Sequence, residues 1–97
     1  MIIAEFSIVP VGTATTGVSK YVKAALNELK KQEGIRAEPE AMGTLIEAEN
    51  MVYLLKAVEN AHNSLFDLGV RRVVTELRID DRRDKVATIE SKTKVLQ

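Results

Sequence analysis

Two hydrophobic periods alternate along this chain, and their order leaves few folds open. Ile2, Ala4, Phe6 and Ile8 recur at every second position, with Ile3, Glu5, Ser7 and Val9 between them. A period of two marks a strand with one apolar face and one mixed face. Pro10, Gly12 and Gly17 then bracket a Thr-rich loop, Thr13 to Thr16. Val18, Tyr21, Val22, Ala25, Leu26 and Leu29 follow at helical spacing, opposite Lys20, Lys23, Glu28, Lys30 and Lys31. The spacing predicts a helix over 18–33, stopped by Gly34. Residues 35–40 read as a weak strand, and Pro39 places it at a sheet edge. Ala41-Met42-Gly43 turns the chain into a second alternating run, 44–49, with Thr44, Ile46 and Ala48 set against Leu45, Glu47 and Glu49. Asn50 can cap a second helix. Its expected inner stripe is Met51, Leu55, Val58, His62 and Leu65, widened by Leu54, Ala61 and Phe66, and Gly69 ends it. The last long strand is 70–81, with Val73, Thr75, Leu77 and Ile79 on one face and Arg72, Val74, Glu76, Arg78 and Asp80 on the other. Thr88 caps a short terminal helix reaching Val95.

The order β-α-β-β-α-β predicts a single α+β domain over 1–97. This is a ferredoxin-like sandwich: a four-stranded antiparallel sheet, two helices on one face, and the short C-terminal helix. The second sheet face is then expected to be open. It carries Ile3, Glu5, Ser7 and Val9 from the first strand, Leu45, Glu47 and Glu49 from the third, and Val74, Glu76 and Arg78 from the last. Aliphatic side chains in such a place call for a cover, and acids beside an arginine call for partners.

Composition removes several classes of function. Lys plus Arg and Asp plus Glu are both 14, so the chain lacks the basic excess of a generic nucleic-acid binder. There is no Cys, which excludes disulfides, thiolate catalysis and Cys-ligated metals. One His excludes a multi-histidine metal site in one chain. No apolar run approaches a membrane span of roughly 18 residues. The start lacks the basic and apolar regions of a signal peptide, so a cytoplasmic location is expected. A chain of 97 residues without a disulfide or metal has a modest core, for which self-association is a common remedy. We therefore expect a homo-oligomer, a dimer or a tetramer built from dimers. Its contact would use Ile3, Val9, Leu45 and Val74.

Five segments in order carry a family likeness. They are Ala4-Glu5-Phe6-Ser7-Ile8-Val9-Pro10-Val11-Gly12, Met42-Gly43-Thr44-Leu45-Ile46-Glu47, Ala61-His62-Asn63-Ser64-Leu65-Phe66, Gly69-Val70-Arg71-Arg72-Val73 and Ile79-Asp80-Asp81-Arg82-Arg83. Together they resemble the small, single-domain thiamine-binding proteins, whose two-domain relative is YkoF. The resemblance implies a ferredoxin-like fold, sheet-to-sheet dimers and often tetramers. It also implies binding of thiamine or its hydroxymethylpyrimidine part without catalysis, and no cofactor. The ligand-binding residues expected on it are Glu5, Ser7, Gly12, Thr13, Met42, Gly43, Thr44 and Glu47. The chain departs from the family pattern at Ala41, often Pro, and at Ala48, often Gly beside the expected site.

Each candidate has a plainer reading. Glu5, Ser7 and Glu47 on one face suit a cationic thiazolium and an aminopyrimidine, because carboxylates and a hydroxyl match their donors and charge. They could instead pair with Arg72 or Arg78 in an oligomer contact. The loop Thr13–Thr16 could hold an anion at the following helix, but it lacks the Gly-Lys-Ser/Thr ending of a phosphate loop and reads as a capping loop. His62 on the core stripe reads as a packed histidine rather than an acid-base group. Arg71-Arg72 and the run Asp80 to Asp84 could grip a phosphate, but their alternating signs suggest salt links. An enzyme would need His62 and Glu47 to converge. A regulatory or scaffolding oligomer without a small ligand is the remaining alternative. An RNA-binding sheet is disfavoured by the lack of stacking aromatics on the outer strand positions.

Overall fold

The middle of the sheet is built on β1 (Ile2–Val11). Its even residues Ile2, Ala4, Phe6 and Ile8 all enter the main core, as their period requires. The computed structural model describes residues 1–96; Gln97, the end of the expected 1–97 domain, lies outside the described residues. The other elements are α1 (Ser19–Lys31), β2 (Ile35–Glu40), β3 (Gly43–Ala48), α2 (Met51–Asp67), β4 (Arg72–Asp80) and α3 (Ile89–Lys94). The strands lie in the order β2-β3-β1-β4 with every pair antiparallel. This is the ferredoxin-like α+β fold, and β2 is an edge strand, the position where Pro39 costs no ladder hydrogen bond.

α1 and α2 pack side by side on the even-numbered face of β1. Leu29, Ile46, Leu54 and Leu65 are its largest fully buried side chains. The buried line of α2 is Leu54, Ala57, Ala61 and Leu65. Leu55 and Phe66, expected inside, are 50% and 42% exposed. Two alanines on the contact line let α2 sit close to its neighbours, and that rotation turns the bulkier Leu55 and Phe66 to the flanks. Asn50 caps α2 as expected, its side chain accepting from the Tyr53 N–H at 2.8 Å. Gly34 follows α1 with φ +74, and a Cβ there would lie 2.4 Å from the Tyr53 ring. Only glycine satisfies both demands.

Register fixes the second face. Glu5 lies between Leu45 and Arg78, Ile3 between Glu47 and Asp80, and Ser7 opposite Glu76. The face is not wholly open, contrary to the expectation from alternation. α3 and the residues before it return across one end of it. Ala87 and Ile89 bury against Ile3, with Leu45 partly buried beside them. Ile3 is therefore only 6% exposed, whereas Val9 and Val74 at the other end are 50% and 43% exposed. Thr88 caps α3 through a reciprocal capping box with Ser91. Polar contacts reach α3 from three strands: Arg36 of β2 pairs with Glu90, Glu47 of β3 accepts from the Ile89 N–H, and Lys92 pairs with Asp80 of β4. An alternation pattern states which way a strand residue points; it carries no information on a later segment that comes back to cover it.

Candidate functional site

β1 and β3 differ in reach, and a cleft results. The β1–β3 ladder runs from Ile2↔Ala48 to Phe6↔Thr44. Beyond it, Ser7–Val11 pair with β4 alone. The unpaired edge of β1 at Ser7–Val9 forms one wall of a cleft of about 270 Å³. The β2–β3 turn, Pro39–Thr44, forms a second wall. Val18, Val22, Ala25 and Leu26 of α1 form the third. The walls are largely apolar, and Ser7, Glu40 and Thr44 are the polar residues among them, Thr44 at a register position of the helix face and Ser7 and Glu40 at positions of the other face.

Local structure explains each position. Ser7 is an odd residue of β1, half-buried where its β3 neighbour ends. Thr44 is buried at 6%. Gly43 lets the turn approach β1, since a Cβ would stand 3.0 Å from the Phe6 carbonyl oxygen. Met42 sits on the rim at 92% exposure, a flexible apolar side chain beside an apolar opening. Glu40 closes β2 opposite Gly43. On the far side of the same turn a second recess of about 190 Å³ is lined by Glu5, Glu40 and Met42–Thr44. Glu5 there is 3.9 Å from Arg78, an exposed pair of small energetic weight.

Of the residues expected from sequence, Ser7, Met42, Gly43 and Thr44 meet in the cleft, with Glu5 in the adjoining recess. Gly12 and Thr13 line a different depression, of about 520 Å³, with Tyr21 and Arg71. The Thr13 hydroxyl donates to the Thr15 carbonyl at 2.8 Å and the Thr15 hydroxyl to the Gly17 carbonyl at 3.3 Å. These bonds hold the loop itself, and the N-cap Val18 receives no side-chain cap, so the expected capping role is not what the threonines do. Glu47 lies in neither recess. It is 8% exposed beneath α3, where its Oε2 accepts from the Ile89 N–H at 3.0 Å.

His62 Nδ1 is 2.7 Å from the Thr75 hydroxyl, and its ring meets Phe66 edge-on. Thr75 points to the helix side of the sheet and Glu47 to the other, so the two groups that an acid-base pair would need stand on opposite faces. A further hollow of about 440 Å³ lies between the start of α2 and residues 81–86. Its arginines are already engaged: Arg82 with Asp84 at 2.6 Å and Arg83 with Asp81 at 3.0 Å. The bond from Arg82 holds the Asp84 carboxyl below the usual range. These are the local salt links that the alternating signs suggest. Among the described residues no group of three His, Asp or Glu is placed to hold a metal ion, and no helix is long and apolar enough to cross a membrane.

Sequence reasoning missed Glu40 and the α1 wall. Glu40 stands two residues before Met42, inside the segment that forms the turn. The one signal for it was that closeness. Val18 and Val22 read simply as core-facing helix positions.

Residues 4–97 match the family described as thiamine-binding protein. A UPF0045 protein of Methanothermobacter thermautotrophicus is 49% identical over 84 residues, 87% of this chain and 84% of that one. The crystal structure of a hypothetical protein of Methanocaldococcus jannaschii superposes with a TM-score of 0.89 at 43% identity, covering 98% of this chain and 94% of that one. A Thermotoga maritima protein provisionally assigned to thiamine biosynthesis or salvage shares the fold, with a TM-score of 0.79 at 19% identity and coverage of 99% and 98%.

Proposed function

The chain belongs to the thiamine-binding protein family, and on that premise we propose that it binds thiamine or its hydroxymethylpyrimidine part without transforming it. The ligand sits in the cleft between α1 and the β2–β3 turn. One observation carries this reading: four residues expected as ligand contacts, Ser7, Met42, Gly43 and Thr44, come together in a largely apolar cleft. Its 270 Å³ is at the lower end of small-molecule sites, the size for one heterocycle rather than a long chain. Apolar walls take the ring faces, while Ser7, Thr44 and Glu40 offer acceptors for ring amino groups. The separation of His62 from Glu47 argues against the acid-base pair that a catalytic reading would recruit.

A self-associated state, dimer or tetramer, acting in the cytoplasm, completes the proposal. It is favoured by the exposed valines Val9, Val11 and Val74 on the uncovered end of the sheet face. Calorimetric titration with thiamine and with the pyrimidine, on wild type and Ser7→Ala, tests the site. Binding that weakens about fivefold in Ser7→Ala, the worth of one neutral hydrogen bond near 1 kcal/mol, supports it. No heat with either ligand refutes it.

A further inference from the structure

We propose that this cleft selects neutral or cationic ring ligands over their phosphorylated forms, and that Glu40 sets the selection. The inference rests on the ligand-binding reading above and adds the charge class of the ligand.

Among the described residues lining the cleft, Glu40 is the one charged residue. The register places it at the end of β2 on the sheet face away from α1, so its charge sits at the rim that the cleft shares with the adjoining recess. The adjoining recess adds Glu5 and no base. Glu40 faces Gly43 across the β2–β3 ladder, so no β3 side chain stands beside it to shield or pair it. No arginine or lysine is among the described residues that line the cleft or the recess. Arg36, the sole base of β2, is held between Glu38 and Glu90. Arg78 is the neighbour of Glu5. A phosphate placed in the cleft would lie near a carboxylate, with no arginine or lysine among the lining residues to bind it directly, whereas phosphate recognition ordinarily uses those groups. An amino group or a ring cation would instead find an acceptor of opposite sign.

One feature pulls the other way. α1 begins at the cleft without a side-chain cap, and the positive end of its dipole attracts anions. The loop before it gives that attraction little help, because the Thr13 and Thr15 hydroxyls already donate to loop carbonyls. The charged carboxylate therefore outweighs the partial charge of the helix end. Since Glu40 is exposed, the selection is screened by salt and strongest at low ionic strength.

Two matched pairs of probes test this. Thiamine and thiamine monophosphate are compared by calorimetry. N-phenyl-1-naphthylamine and its anionic relative 8-anilino-1-naphthalenesulfonate are compared by fluorescence. Methyl NMR of Val22 and Met42 locates each in the cleft. Wild type should prefer the member without the anionic group at least tenfold, about 1.4 kcal/mol, with the ratio falling as salt rises. Glu40→Gln should narrow the ratio and Glu40→Lys should reverse it, with circular dichroism unchanged. Equal or tighter binding of the phosphate or sulfonate to wild type overturns the proposal and gives control to the start of α1. A ratio indifferent to both Glu40 variants overturns it too, as does the absence of any cleft-centred shift with all four probes. If neither thiamine compound binds but the dyes keep their Glu40-dependent order, the thiamine reading falls and the charge selection stands.

Discussion

Replacing Glu47 with alanine should loosen α3 while leaving the cleft intact. The Glu47 carboxylate is buried and accepts the Ile89 N–H at 3.0 Å. A hydrogen bond to a charged group contributes about 1.5–3 kcal/mol net. For a domain near 100 residues each kcal/mol moves the melting temperature by roughly 4–8 °C, so a full loss corresponds to roughly 6–24 °C. The loss has a ceiling, because α3 can detach without the sheet unfolding. Its docking rests on that bond, on Ile89 at roughly 1.5–3 kcal/mol for a fully buried aliphatic side chain, and on two exposed ion pairs of little weight. Offset against these is the entropy of ordering a short helix. Once the loss exceeds the net docking energy, the tail frees and the melting temperature stops falling. We therefore expect a shift in the lower part of the range.

Hydrogen exchange separates the outcomes. Amides of 87–94 should lose protection in Glu47→Ala, while those of β1 and α2 keep theirs. Glu47→Gln should lie between wild type and alanine, since its amide oxygen can still accept. Ligand affinity in the cleft should change less than threefold. Full protection at the Ile89 amide in Glu47→Ala, together with abolished thiamine binding, would refute this reasoning and make Glu47 a ligand contact.

Three other outcomes follow from the packing and the ion pairs. Leu54→Ala removes a side chain with 0% exposure at the α1–α2–sheet junction and should cost about 2–5 kcal/mol in chemical denaturation. Gly34→Ala should destabilise by at least about 1–2 kcal/mol for the left-handed conformation alone, with the Tyr53 contact adding to it, and calorimetry reads this as a lower melting temperature. The Arg36 hydrogen bond lowers the Glu90 carboxyl below its usual range. A depressed folded value makes this contact fully present above the unfolded value near 4.3, and lost as pH falls through the lower folded value. Protection of α3 should therefore decline below about pH 4, and Arg36→Gln should remove that Glu90 contribution to the decline.

The fold was legible where one signal decided one feature. Alternation gave β1, β3 and β4 their faces, Pro39 gave β2 its edge, and Asn50 and Thr88 gave two helices their starts. The rotation of α2 was not legible, because Leu54, Leu55, Val58, Ala61, His62, Leu65 and Phe66 form an apolar band too broad to choose a centre. The choice was made by Ala57 and Ala61, whose smallness counts only once a second helix lies against them. Glu47 shows a longer-range failure of the same kind. Its face was right, but its partner is 42 positions away in a segment whose return path no local pattern encodes.

The candidate site depends on a difference in length that composition does not display. Had β3 begun a few residues earlier, it would have continued along β1, and Ser7–Val9 would be interior ladder residues with no free edge. Gly43 and the turn before it stop β3 at Phe6, while β1 goes on to Val11 along β4 alone. The unpaired length becomes a wall of the cleft. At the opposite end of the same strand, near Ile3, α3 covers the mixed face and withdraws Glu47 from it. The two ends of β1 therefore serve two purposes: at one its mixed face is covered by the C-terminal helix, and at the other its unpaired edge, beside α1, is free to meet a ligand. Glu5, Ser7 and Glu47 look equivalent by alternation, yet strand length and the returning helix divide them among a shallow recess, a cleft and a buried bond.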